Sequence, residues 1–234
     1  MRHLAILALL AGMAIAGPCA TPIHVSAGFG VGATTGPMDT TCGTLEVGIL
    51  SSFATADPPD MTSAGNTFTC VAGFSPSGAR IKICYTCTPT TSNNQTFSFP
   101  SGSGTWVAMT VAVYSGQGGG PGCLVGAPAG NQTLSPGSVT PGAAGHLLVT
   151  GLGCQFCDGT QAAALNIGTV DGGGGAGAND MDWIGSYLAP NTTAVNFTWT
   201  LPSGNGGSQA TLAAEFKNVA AVPTNRRRIL NSGQ

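Results

Sequence analysis

The chain has 234 residues, of which only 7 % are charged, with a net charge of −2 and 37 glycines. Soluble domains ordinarily carry about 25 % charged residues, so hydroxyls, amides and backbone must solvate this surface instead. Lys and Arg number seven, three of them in the tail cluster Arg226-Arg227-Arg228, which excludes the cationic face that nucleic-acid phosphates require.

The N-terminus predicts a secretory signal over residues 1–16. Arg2 and His3 give a polar start, Leu4–Ile15 is apolar, and Ala14-Ile15-Ala16 offers a small-residue cleavage site. A bilayer span takes about 20 apolar residues, so this run is too short to anchor the chain, and the mature protein is expected to lack a transmembrane segment. Residues 17–220 are expected to form the folded part and 221–234 a flexible tail.

Period-two alternation of apolar residues marks strands throughout. Ile23–Val31 reads as an edge strand. Leu45, Val47 and Ile49 alternate with Glu46 and Gly48. Thr67–Ala72 is followed by the turn-like Ser75-Pro76-Ser77-Gly78, then Ile81, Ile83 and Tyr85 alternate with polar neighbours. Phe97 and Phe99 mark a further strand. The stretch from Trp106 to Tyr114 is apolar on both faces, which calls for a central strand. Ser115–Gly145, rich in Gly and Pro, reads as a connector.

The same phase recurs at a constant offset of 102 residues: Gly104–Tyr114 maps to Gly206–Phe216, Leu45 and Val47 to Leu147 and Val149, Tyr85 to Tyr187, and Pro100-Ser101-Gly102 to Pro202-Ser203-Gly204. The repeats run over about 17–116 and 119–218. In the second, Asp171–Gly177 (DGGGGAG) reads as a loop. The predicted class is all-β, an antiparallel, jelly-roll-like β-sandwich made from two diverged repeats. A single sandwich of two interlocked halves is favoured over two tandem sandwiches, because each repeat has few large apolar residues.

Eight cysteines in an exported chain predict disulfides, with 105 possible pairings. The candidates are Cys42, Cys70, Cys84, Cys87, Cys123, Cys154 and Cys157. A hairpin about Ser77 would set Cys70 opposite Cys84, and Cys154 could close on Cys157. Cys84-x-x-Cys87 and Cys154-x-x-Cys157 also have the ligand spacing of a zinc site, although 66 residues between the pairs is long for one.

No catalytic set emerges. Glu46 and Glu215 are the only glutamates, and their phase predicts solvent-facing strand positions rather than the paired carboxylates of a glycosidase. Outside the signal, His24 and His146 are the only imidazoles, and no Gly-x-Ser-x-Gly elbow accompanies them. Asp171, Asn179, Asp180 and Asp182 flank the glycine run as oxygen ligands of the type calcium accepts, without the spacing of a known calcium loop. Trp106, Trp183 and Trp199 fall in the inward phase and are expected in the core. No cofactor motif is present.

Thr44-Leu45-Glu46-Val47, Asn66-Thr67-Phe68-Thr69, Ile81-Lys82-Ile83-Cys84-Tyr85, Val111-Ala112-Val113-Tyr114-Ser115-Gly116 and Leu212-Ala213-Ala214-Glu215-Phe216-Lys217 resemble exported Gly/Thr/Ser-rich β-sandwich proteins of bacterial surface, secreted and phage-associated type. The resemblance covers roughly Ile23–Val219. It implies a two-half β-sandwich and carries over no activity or site residue. The expected function is a non-enzymatic structural or adhesive module at the cell surface or outside the cell, whose partner is a surface protein or glycan. The alternative is a carbohydrate-binding or carbohydrate-cleaving sandwich.

Overall fold

The computed structural model describes residues 23–31, 34–53, 57–71, 74, 78–99, 107–155, 157, 163–175, 180–201 and 207–219. The predicted signal, the tail over 221–234, Trp106, Asn179 and the side chain of Asp180 lie outside the described residues. The strands in chain order are β1 (His24–Val31), β2 (Leu45–Ser52), β3 (Thr62–Ser63), β4 (Thr69–Val71), β5 (Arg80–Thr86), β6 (Phe97–Ser98), β7 (Val107–Tyr114) and β8 (Leu124–Asn131). They continue as β9 (Ser138–Val139), β10 (Leu147–Gln155), β11 (Ala164–Leu165), β12 (Thr169–Gly175), β13 (Asp180–Leu188), β14 (Val195–Asn196), β15 (Trp199–Thr200) and β16 (Gln209–Phe216).

The long strands form two antiparallel five-stranded sheets, ordered β1-β7-β2-β5-β4 and β12-β13-β10-β16-β8. They face each other as a sandwich. Leu45, Val47, Ile49, Ile81, Ile83 and Tyr114 of the first sheet share one core with Leu147, Val149, Ile184, Leu212 and Phe216 of the second. Gly151 allows the close approach at the centre: a Cβ there would lie 2.6 Å from Ile49 Cγ2.

The outer face of each sheet is covered as well. Leu50, Met109, Val111 and Val113 are sealed beneath Met38, Met61, Phe97 and Phe99. On the other side, Leu152, Met181 and Trp183 pack under Trp199, while Leu148 and Ala213 pack under Val195 and Phe197. The short pairs β3–β6, β9–β14 and β11–β15 carry part of this cover. Sheets apolar on both faces need that second layer, because each buried Leu, Val or Phe contributes about 1.5–3 kcal/mol only if water is excluded from it.

The favoured single sandwich is what the chain forms, but each half supplies one whole sheet. Along the two innermost strands the 102-residue offset matches the pairing: Leu45 faces Tyr114 in the first sheet, and Leu147 faces Phe216 in the second. Elsewhere the offset slips. Tyr85 pairs with Val47 on the inner face, whereas Tyr187 pairs with Leu148 on the outer face, and Ser186 stands opposite Val149. A one-residue slip sends every side chain of a strand to the other face, so the Tyr85–Tyr187 match in sequence is not a match in space.

Other expectations change too. The described part of the glycine run, residues 171–175, is not a loop: Thr169–Gly175 is strand β12, at the edge of the second sheet and paired to β13 with a bulge between Val170 and Gly172. Its glycines fit because Gly172 lies directly against β1, where a Cβ would come within 2.7 Å of that of Ala27. The predicted connector over 115–145 contains β8, the opposite edge strand, and β9. Strand β7 is buried at all eight positions but sits between β1 and β2, with β2 at the centre of the sheet. Trp183 and Trp199 are buried in the outer layer rather than between the sheets.

Candidate functional site

The innermost strands place one glutamate on each outer face. In the first sheet Glu46 of β2 stands opposite Val113 of β7; in the second Leu148 of β10 stands opposite Glu215 of β16. The same cross-strand position thus holds one carboxylate and one aliphatic side chain in each sheet, with the strands exchanged. Both glutamates were expected to face solvent. Both are buried, at 0 % and 4 % exposure, because the outer layers cover them. Two sheets stand between them, so they do not flank a common bond as a glycosidase pair must.

Glu46 is sealed. Its Oε2 accepts a hydrogen bond from Asn66 Nδ2 at 2.9 Å, while Oε1 is buried without a partner. Burial raises its carboxyl to about 7, partly offset by the nearby Gln95 amide. Glu215 is set differently. Its Oε1 accepts from the backbone N–H of Gly142 at 2.6 Å and contacts His146 Nδ1 at 2.5 Å. His146 is fixed by its position immediately before β10 and Gly142 by the turn ahead of it. Glu215 also lines a groove of about 310 Å³ with Val125, Ala129, Ala213, Ser138 and Thr140. Among the described residues Oε2 carries no hydrogen bond.

The other carboxylates singled out in the sequence do not converge. Asp171 on β12 accepts from the Tyr114 hydroxyl at 2.8 Å and from Thr169 Oγ1 at 2.9 Å. Burial, and then the Asp171 charge, push the Tyr114 hydroxyl well above its usual range. Asp182 is fully buried between the sheets with neither carboxyl oxygen hydrogen-bonded, and burial drives its carboxyl well above the usual range. The Ser51 hydroxyl and the Trp183 and Thr110 amides offset this only in part, since none stands in hydrogen-bonding geometry. His24 lies at the inner rim, its ring centroid 6.1 Å from that of Tyr114.

The cysteines among the described residues are oxidised. Cys70–Cys84 links β4 to β5 across directly paired positions. Cys87–Cys123 joins the end of β5 to the start of β8 and so ties one sheet to the other. Cys154–Cys157 closes the end of β10, and Cys42 is also disulfide-bonded. Cys84 and Cys87 therefore belong to different bridges, and the two C-x-x-C stretches do not meet as a zinc site. The cluster of metal-type ligand atoms Asp60, Cys70 and Cys84 consists of this disulfide and a carboxylate already paired with Lys82 Nζ at 2.9 Å.

Among the described residues two further depressions stand out. One of about 430 Å³ is lined by Tyr187, Asn166, Asn191 and Thr193; the Asn166 and Asn191 side chains there are held by the backbone N–H groups of Thr198 and Thr193. The other, about 180 Å³, is an apolar crevice between Val71, Phe74 and Ile83 on one sheet and Pro128 and Leu212 on the other. Sequence reasoning missed the His146–Glu215 contact because 69 residues separate its members. The available signal was a lone charged residue in a strand whose other polar members, Gln209 and Thr211, are neutral.

Fold and site together define an all-β, disulfide-bearing antiparallel sandwich with one buried carboxylate opening on a surface groove. Scans against protein-family models, curated proteins and solved structures found no match. Its disulfides are of the kind that persist in oxidising compartments, and among the described residues no helix is long and apolar enough to cross a membrane.

Proposed function

We propose that the chain is an exported, non-enzymatic structural or adhesive module that acts at the cell surface or outside the cell. The observation that carries this reading is the double cover of both sheets: the buried side chains go into a rigid slab, with a layer of short strands and loops stacked on each outer face. Three further features support it. The low charge suits a surface solvated by hydroxyls and amides. A disulfide joins the two sheets and resists unfolding where no chaperone is at hand. The apolar run over Leu4–Ile15 supplies a route out of the cytosol.

The test is to express the full chain with its N-terminus intact, fractionate the cells and measure the intact mass of the product. The expected result is extracytoplasmic protein lacking residues 1–16, with no free thiol. Protein retained in the cytosol with its thiols reduced would overturn the proposal.

A further inference from the structure

We infer that the groove at Glu215 is a binding site for a neutral saccharide, with Glu215 Oε2 accepting from sugar hydroxyls. The inference rests on the adhesive side of the reading above and names what the module would hold.

The carboxylate is pre-set. Oε1 is committed to the Gly142 amide and the His146 imidazole, which fixes the orientation of a group that lines the groove and leaves Oε2 without a hydrogen bond among the described residues. Glu215 is 4 % exposed, so a ligand hydroxyl meets an acceptor whose desolvation was completed on folding. The walls alternate in character. Val125, Ala129 and Ala213 offer an apolar floor, and the exposed Ser138 and Thr140 add hydroxyl groups that both donate and accept. Apolar C–H surface edged by hydroxyl partners is the chemistry a sugar ring presents in return. The volume, about 310 Å³, stands at the lower end of the roughly 300–1,000 Å³ of small-molecule sites.

Other ligands fit less well. Calcium takes six to eight oxygen ligands, and here a single carboxylate already shares its charge with two donors. An anion would meet Glu215 with no Lys or Arg in the lining. The position opposite in the first sheet shows what a sealed carboxylate looks like: Glu46 is roofed over, with Asn66 on one oxygen. Glu215, in contrast, lines a groove.

The experiment is a titration of the oxidised, 15N-labelled mature protein with cellotriose, mannotriose and N,N′-diacetylchitobiose, followed by amide shifts. Saturable shifts centred on Gly142, Ala129 and Ala213 with at least one probe are expected. Glu215→Gln should weaken that binding about tenfold, since a charged acceptor is replaced by a neutral one. Thr140→Trp, at an exposed rim position, should abolish it while leaving the melting temperature unchanged, which guards against a Gln variant that merely unfolds. Absence of saturable shifts with all three sugars overturns the inference, as does binding that maps to the Tyr187 groove or survives Thr140→Trp. Each of those outcomes leaves the export test untouched.

Discussion

The two sheets solve one problem in opposite ways. Each has a glutamate in the corresponding cross-strand pair of its outer face, yet Glu46 is fully buried beside Asn66 while Glu215 lines a groove. Enclosure makes the first a cost carried by the fold. Partial access, with His146 and Gly142 as fixed donors, makes the second available to a ligand. A buried polar group thus reports on its cover as much as on its own chemistry.

The comparison can be pressed by perturbing each sheet in turn. The largest effect should come from the bridge between them. Replacing Cys87 and Cys123 together by Ser releases a 36-residue separation and should cost about 4 kcal/mol, against about 2 kcal/mol for the three-residue separation of Cys154 and Cys157, as read by urea unfolding. Equal costs would show that the sheets hold together without the bridge.

Next in size is a pH dependence that belongs to the first sheet. Glu46 is held at about 7 in the fold, against about 4.3 for an exposed glutamate, so the fold binds the proton more tightly than the unfolded chain. Its contribution is fully present below about pH 4.3 and is lost as pH rises through about 7, a decline on the order of 3 kcal/mol. Asp182, whose carboxyl burial shifts in the same direction, adds to the decline. Unfolding measured from pH 4 to pH 8 should show this slope in the wild type and a shallower one in Glu46→Gln. A slope unchanged by that substitution would contradict the sealed environment.

A smaller contrast is steric. Gly151→Ala drives a methyl into Ile49 between the sheets and should cost about 1–3 kcal/mol. Gly48→Ala on the outer face meets only the sulfur end of Met61, which can swing aside, and should cost less. Thermal melts of the two variants rank them directly. Smallest of all, Lys82→Ala removes a surface pair with Asp60, and its effect should stay below about 1 kcal/mol.

Much of this fold was legible in the alternation of a few strands. Leu45, Val47 and Ile49 point inward as their period predicts, and the doubly apolar Val107–Tyr114 is buried on both faces. What escaped was governed by contacts distant in sequence. Strand β12 has almost no side chains to show a period, because its place is set by backbone pairing to β13 and by the room Gly172 leaves for Ala27. The outer layers are built on strands of two residues, too short for any periodicity, and they are what bury Glu46 and Glu215. A polar residue on the outward phase of a strand reads as exposed only when nothing is stacked beyond it. The site was hidden for the same reason: neither His146 nor Gly142 is near Glu215 until β10 and β16 pair.

The bridge between Cys87 and Cys123 has a mechanical side. Tension entering at β1 and leaving past β16 reaches Cys87 and crosses directly to Cys123, so the segment between them, with all of β6 and β7, bears no load. Even a fully pulled-out chain would be shorter by about 120 Å at roughly 3.3–3.6 Å per residue. A module held at one end by a cell and at the other by a surface would lengthen in limited steps under shear, keeping β7 out of the path of the force.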